Sequence, residues 1–380
     1  MTSKGLPRSN FSFSQARSLI GDLNQPNPWI YWTDFLVSVL IGHVAIQLIL
    51  AIPQRFPDAW WAWLASGLCY VITIVMYMRA LMFIHELVHL PKHGYTGFRV
   101  VWNLLCGIPF LVPSFLYYPH VDHHRRKHYG TEHDGEYLAL SHQSRWLIVG
   151  FVAQALVIPF LGIARFLLIS PVCWLIPGAR QWVHRHASTM LVDPSYERTD
   201  ASPKLMRTVV LQEACCFVWC VVLLSGHWFL TGQWFNPFWI VAYGVAQGLL
   251  VMNEVRTLGA HRWTNEEGEM TFEEQLLDTV NYPYSPWVSE LWGPVGTRYH
   301  ALHHLFPRLP YHNLGKAHAR LVEGLPPDSI YHQTIATSLT SEIIALWKRA
   351  SEQPGNRPSA RESKSQPALA STANRSPQAR

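Results

Sequence analysis

Nine of the chain's 20 histidines fall into three boxes and one outlier. The boxes are His85-Glu86-Leu87-Val88-His89, His120-Val121-Asp122-His123-His124 and His300-Ala301-Leu302-His303-His304; His261 stands alone before Arg262. Residues three and four apart share a helix face, so His85 and His89 point the same way, as do His120, His123 and His124. Converging imidazoles make a good site for iron, zinc, copper or nickel. One tetrahedral zinc needs four ligands, so two metal ions fit the count better. Box one alone also matches the zinc-protease pattern, with Glu86 as general base. Two separate copies of His-x-x-His-His are far more specific than that five-residue match.

Elements of unusual composition must position these residues. The 380-residue chain is 49% hydrophobic but only 14% charged. Soluble domains carry about 25% charged residues, so a membrane protein is expected. Four stretches suit a helix crossing a bilayer, which needs about 20 apolar residues: Phe35 to Pro53, Ala59 to Met78, Val209 to Thr231 and Phe238 to Met252. Two more, Val101 to Tyr118 and Leu147 to Ile176, are broken by prolines. Box one follows the second span, box two comes soon after, and His261 and box three follow the fourth. For all to meet on one face, the two broken stretches must cross zero times or twice, and neither is long enough for two crossings. They are expected to be interfacial or re-entrant helices.

Charge sets the orientation. Arg55 and Asp58 are the only charges between the first two spans, and Gly232 to Pro237 has none. Lys4, Arg8, Arg17, Lys92, Arg99, Arg125, Arg126, Lys127, Arg180 and Arg185 lie on the other side. The positive-inside rule then puts both termini and the histidines in the cytoplasm. The expected fold is all-α and integral to the membrane, with four transmembrane helices, interfacial helices and a cytosolic histidine-rich cap. Its parts are a cytosolic segment (1–34), the membrane domain (35–350) and a Pro/Ser/Ala/Gln/Arg-rich tail (351–380) expected to be disordered. Ser341 to Ala350 reads as a short amphipathic helix. The polar N-terminus lacks a signal peptide's apolar core, so the first span is expected to direct insertion. The six cysteines contain no Cys-x-x-Cys pair and read as buried small hydrophobes. No interleaved basic and aromatic motif suggests nucleic-acid binding.

The ordered set His-x-x-x-His, His-x-x-His-His and His-x-x-His-His resembles the membrane fatty-acid desaturase family. So does His303-His304-Leu305-Phe306-Pro307 followed by Pro310-Tyr311-His312-Asn313-Leu314. The resemblance runs from the first span to about His318. It implies four transmembrane helices under a cytosolic cap holding two irons. His85, His89, His120, His123, His124, His261, His300, His303 and His304 would be the metal ligands. A family member uses an asparagine four residues before the lone histidine to hold a water near one iron; here Thr257 stands there, with Asn253 one turn earlier. The activity implied is O2-dependent oxidation of an unactivated C–H bond. Loss of a second hydrogen gives a double bond, and return of oxygen gives an alcohol. The motifs barely separate these outcomes; the extended 147–205 region favours an acyl-lipid or acyl-CoA desaturase. The alternative is a hydroxylase or ketolase acting on a carotenoid, sphingolipid or alkane. More remote readings are an intramembrane zinc protease using His85, Glu86 and His89, and a non-catalytic metal- or lipid-binding membrane protein.

No Gly-x-Gly-x-x-Gly loop, iron–sulfur cysteine set or cytochrome b5 His-Pro-Gly-Gly sequence is present. Electrons must therefore come from an external ferredoxin, rubredoxin-like protein or cytochrome b5. Arg125 to Lys127 can dock an acidic donor, or serve as a topology signal. Glu86, Asp122, Asp134 and Glu136 are candidates to orient the imidazoles. His93, His128 and His312 flank the boxes and are expected in supporting or surface roles. His133, His142, His184, His186, His227, His318 and His332 read as structural. His43 lies inside the first span, where polar groups are costly and often functional, or merely meets a partner between helices.

Overall fold

Asn27 and Pro28 begin the first long helix, α1 (Pro28–Arg55): the Asn27 side chain accepts from Trp29 N, and proline occupies the first turn. The computed structural model describes residues 11–351 apart from Lys92, Leu191, Glu266 and Glu267. The tail expected to be disordered lies outside the described residues beyond Ser351, and so do the first ten residues. Helices dominate; among the described residues there are isolated β-bridges but no strand.

α1 pairs with α2 (Trp60–His89) as an antiparallel hairpin. Gly42 permits the close approach, because a Cβ there would lie 2.6 Å from the Tyr77 ring. α2 does not stop where its apolar run ends at Arg79. It continues unbroken to His89, carrying box one on a rigid extension. Asp34 and Glu290 hold Arg79 at that level, Glu290 at 2.8 Å.

The expectation for the two broken stretches divides. Residues 96–117 fold back on themselves: a helix (Thr96–Trp102), a wide turn at Asn103–Gly107, Leu111 in the left-handed region (φ 56°), and a tight turn at Ser114–Tyr117. The Asn103 side chain accepts from Ser114 N at 2.9 Å and ties the fold-back. The second stretch forms a short apolar helix (Arg145–Leu156) and then α3 (Ile158–Leu175), which is apolar enough to cross a membrane despite Pro159, Pro171 and Arg165. Pro159 sits in the first turn, where its missing N–H loses no hydrogen bond, and Pro171 opens the segment that follows the wide turn at Ala164–Ile169. Arg165 donates to Ser170, Ser188 and the Ala187 carbonyl, and pairs with Glu213.

α4 (Pro203–Thr231) is capped by Ser202 and closed by Gly232 at φ +66°. α5 (Pro237–Ala260) is capped by Asn236 and ends where His261 turns extended. Among the described residues, five helices, rather than the expected four, are therefore long and apolar enough to span. Their outward side chains, among them Leu40, Leu64, Leu68, Phe229 and Leu230, are exposed. Such an apolar belt needs lipid around it. The amphipathic helix near the C-terminus is present (Leu339–Ser351), burying Leu346 and Ala350.

Candidate metal centre

The site is built where three long-range connections end. α2 brings His85 and His89, the short helix His120–His123 brings box two, α5 delivers His261, and the helix His300–Leu305 brings box three. The nine histidines meet in two adjoining sets. His85, His89, His120, His124 and His303 form one; His123, His261, His300 and His304 form the other. Within each set the ligating nitrogens lie within 4.8 Å of one another. Across the sets, the His124 and His304 rings are 4.3 Å apart.

The nitrogens face inward. Nε2–Nε2 separations are 2.9 Å for His120–His124, 3.1 Å for His124–His303, 2.8 Å for His261–His300, 3.1 Å for His300–His304 and 3.3 Å for His123–His261. An imidazole nitrogen binds a metal such as zinc at about 2.0–2.1 Å, so ligands at right angles lie about 3 Å apart. His85 Nδ1 and Nε2 and His89 Nε2 are buried without a partner among the described residues. Buried nitrogens rarely go unpaired, and a cation between His85 and His89 would give each ring one partner. The donor set fits two metal ions.

Carboxylates and a phenol grip three of the outer nitrogens. His120 Nδ1 lies 2.8 Å from Glu136, and His123 Nδ1 lies 2.8 Å from Asp134. His261 Nδ1 is 2.8 Å from the Tyr129 hydroxyl, which itself donates to Asp278 at 2.7 Å. A proton on Nδ1 leaves the Nε2 lone pair facing the centre, and the buttress fixes the ring. Burial depresses the pKa of His120, His300, His303 and His304 well below the usual imidazole range. They stay neutral, the form that ligates. Burial also disfavours charge on His123, but Asp134 beside it prevails and raises its pKa. Burial raises Glu136 to about 8, against the pull of His123.

Of the sequence candidates for orienting roles, Asp134 and Glu136 do face histidines of the boxes. Asp122 instead pairs with Arg125 and His128. Glu86 turns away from the sets, accepting from the Tyr31 hydroxyl and from Tyr311 N. Box one therefore lacks the inward carboxylate that zinc proteolysis requires. His43 bonds the Val39 carbonyl and packs edge-on against Tyr77; His312 accepts from Asn27 N and His318 meets the Tyr331 hydroxyl. Sequence reasoning missed Tyr129, Asp278 and Tyr117, whose ring stacks on His120 at 4.6 Å. Tyr129 lies just beyond box two; Asp278 carries no spacing signal.

Three of the nine, His89, His124 and His304, are only partly buried. His124 rings neighbour both others, at 4.7 and 4.3 Å. They form one edge of the site, beside the exposed side chains of Arg125, Arg126 and Lys127.

Long lipid-facing helices under a buried ring of imidazoles define a multi-pass membrane protein with a histidine-box centre. Residues 58–336 match the family model described as fatty acid desaturase. The chain is 38% identical over 343 residues to a ceramide hydroxylase of Caulobacter vibrioides (strain NA1000 / CB15N), covering 89% of this chain and 94% of that one. It belongs to the fatty acid desaturase family and is an oxidoreductase of the desaturase/hydroxylase superfamily. No solved structure matches the chain.

Proposed function

We propose that this protein is a membrane lipid hydroxylase that oxidises a C–H bond of a ceramide-type lipid with O2 and two external electrons. The observation that carries the reading is the convergence of nine imidazoles into sets of five and four. His85, His89, His120, His124 and His303 would hold one iron, and His123, His261, His300 and His304 the other. Bound there, the pair would supply O2 activation and the oxidising power that an unactivated C–H bond demands. The chain's own share is to fix the imidazoles through Glu136, Asp134 and the Tyr129–Asp278 pair, and to exclude water by burial. One oxygen atom enters the product as C–OH; the other leaves as water with two electrons and two protons. The partly open His89–His124–His304 edge and its basic neighbours suit an acidic electron donor, the charge pattern of a ferredoxin, rubredoxin-like protein or cytochrome b5.

The ceramide-class substrate and the hydroxylated outcome rest on the near full-length likeness to the ceramide hydroxylase. This reverses the order expected from sequence, which ranked desaturation first. Acyl-chain desaturation remains the second reading, favoured by the family description. The layout proposed is four crossings, α1, α2, α4 and α5, beneath a cytosolic cap. α2 and α5 both end at the histidines, so from the end of α2 to the end of α5 the chain must cross an even number of times, and α4 and α5 supply two. The 145–156 helix and α3 then form a re-entrant pair that enters and leaves on the histidine side, in keeping with their contacts well inside the long helices: Leu156 O accepts from the Tyr243 hydroxyl, Phe160 packs on Tyr243 and Arg165 pairs with Glu213.

Expression in a host that makes ceramide but lacks such an enzyme tests the reaction. Lipid mass spectrometry should find ceramide carrying one added oxygen, and the purified protein should contain two irons per chain. New unsaturation with no added oxygen would establish the second reading, and one zinc per chain would overturn both.

A further inference from the structure

The position where the family resemblance places a water-holding asparagine is occupied differently here. Arg256 Nη2 donates to Asn253 Oδ1 and to Thr257 Oγ1, each at 3.1 Å. The two polar side chains thus serve as a cradle for a guanidinium. A guanidinium has five N–H donors. Those on Nε and Nη1 have no protein acceptor among the described residues, and Nε is buried. No carboxylate among the described residues pairs with Arg256; its charge reaches Tyr117, Glu254 and Glu136 only at longer range. Tyr117 stacks on His120 and lies 6.3 Å from His85, ring to ring, while Glu136 holds His120. Arg256 therefore stands beside the wall of the five-histidine set.

A half-buried cation whose Nε is shut off from solvent with no acceptor is costly, because the desolvation penalty is not returned by a partner. A channel that only had to pass the middle of a saturated hydrocarbon would gain nothing from it. The arrangement makes sense if the missing acceptor arrives with the substrate. We propose that Arg256 is a specificity-determining residue that donates from Nε and Nη1 to an oxygen of the lipid substrate. That oxygen is an amide carbonyl or hydroxyl close to the carbon that is oxidised. Asn253 and Thr257 are positioning residues that hold the fork in place. The inference rests on the lipid-oxidising reading of the site and narrows it: the reacting carbon lies near the polar end of the lipid.

The test compares full-length wild type, R256Q and R256K in nanodiscs with three probes: N-palmitoyl sphinganine, phosphatidylcholine and hexadecane. The readouts are iron content, ligand-free melting, the ligand-induced melting shift without turnover, and separate KM and kcat values. In R256Q the ceramide-induced shift should vanish and KM should rise at least tenfold, with iron content and ligand-free melting unchanged. R256K should recover part of the binding, since an ammonium still donates but without the fork. Unaltered ceramide binding by R256Q overturns the proposal. So does iron loss or a lowered ligand-free melt in both variants, which would make Arg256 structural. If wild type responds to phosphatidylcholine and not to ceramide, the assigned substrate falls while Arg256 is judged on phosphatidylcholine. If hexadecane stabilises wild type as strongly as either oxygen-bearing lipid, the Arg256 proposal falls and the oxidase reading stands.

Discussion

His123 and His120 sit in the same box yet serve different sets, and the difference lies in what holds each ring from behind. Asp134 grips His123 in the four-histidine set, and Glu136 grips His120 in the five-histidine set. The two carboxylates, neighbours in sequence, are thus separate handles on two metal positions. Losing an outer partner of a metal-binding histidine costs roughly 10–100-fold in metal affinity. D134N should therefore lower retention of one iron by about that factor and E136Q that of the other, each leaving about one iron per chain after dialysis against a chelator. Elemental analysis reads the outcome; loss of both irons from each variant would mean a single coupled centre. At this scale the boxes were legible because ligand spacing is local, repeating every helical turn. The His261 buttress was not, since Tyr129 and Asp278 come from distant segments brought together by tertiary folding, with no local rule linking them.

The ends of helices, more than their apolar middles, decide how the site is assembled. α2 overshoots its apolar run by two turns or more and presents box one, while α5 stops at His261. Hydropathy located the middles of four helices but stopped several residues short of where α2 and α5 end. It left α3 ambiguous, because Pro159, Arg165 and Pro171 interrupt the apolar run. The structure shows why that arginine is tolerated: Glu213 of α4 is buried between Arg165 and Arg180. One carboxylate thereby clamps α3 and the following helix to α4. Breaking a buried pair by deleting one partner costs about 3–5 kcal/mol, because the remaining charge is stranded. E213A should consequently melt well below wild type in detergent. Replacing all three residues by Met or Leu should restore much of the loss, as apolar groups of similar size often substitute without penalty. An E213A protein that melts like wild type would show that the triad does not hold α3.

For the whole chain, the histidine centre acts as a topological constraint. Spans that deliver ligands to one site must end on one side of the membrane. With α2 and α5 both ending there, the proposed layout has the 145–175 segment enter and leave on that same side, even though length and apolarity alone would let α3 cross. Among the described residues five helices are long and apolar enough to cross, and the proposed layout uses four of them as crossings. The prediction is specific to individual loops. In a background without the six native cysteines, single cysteines at Arg126 and Gln181 should be labelled from the same side of sealed vesicles, and those at Arg55 and Gln233 from the other. All four positions are exposed. The positive-inside rule assigns the Arg126 side to the cytoplasm. A Gln181 cysteine that labels together with Arg55 would make α3 a true crossing. α4 and α5 would then be inverted, and His261 would lie across the bilayer from box one, which would break up the nine-histidine site on which the proposed chemistry depends.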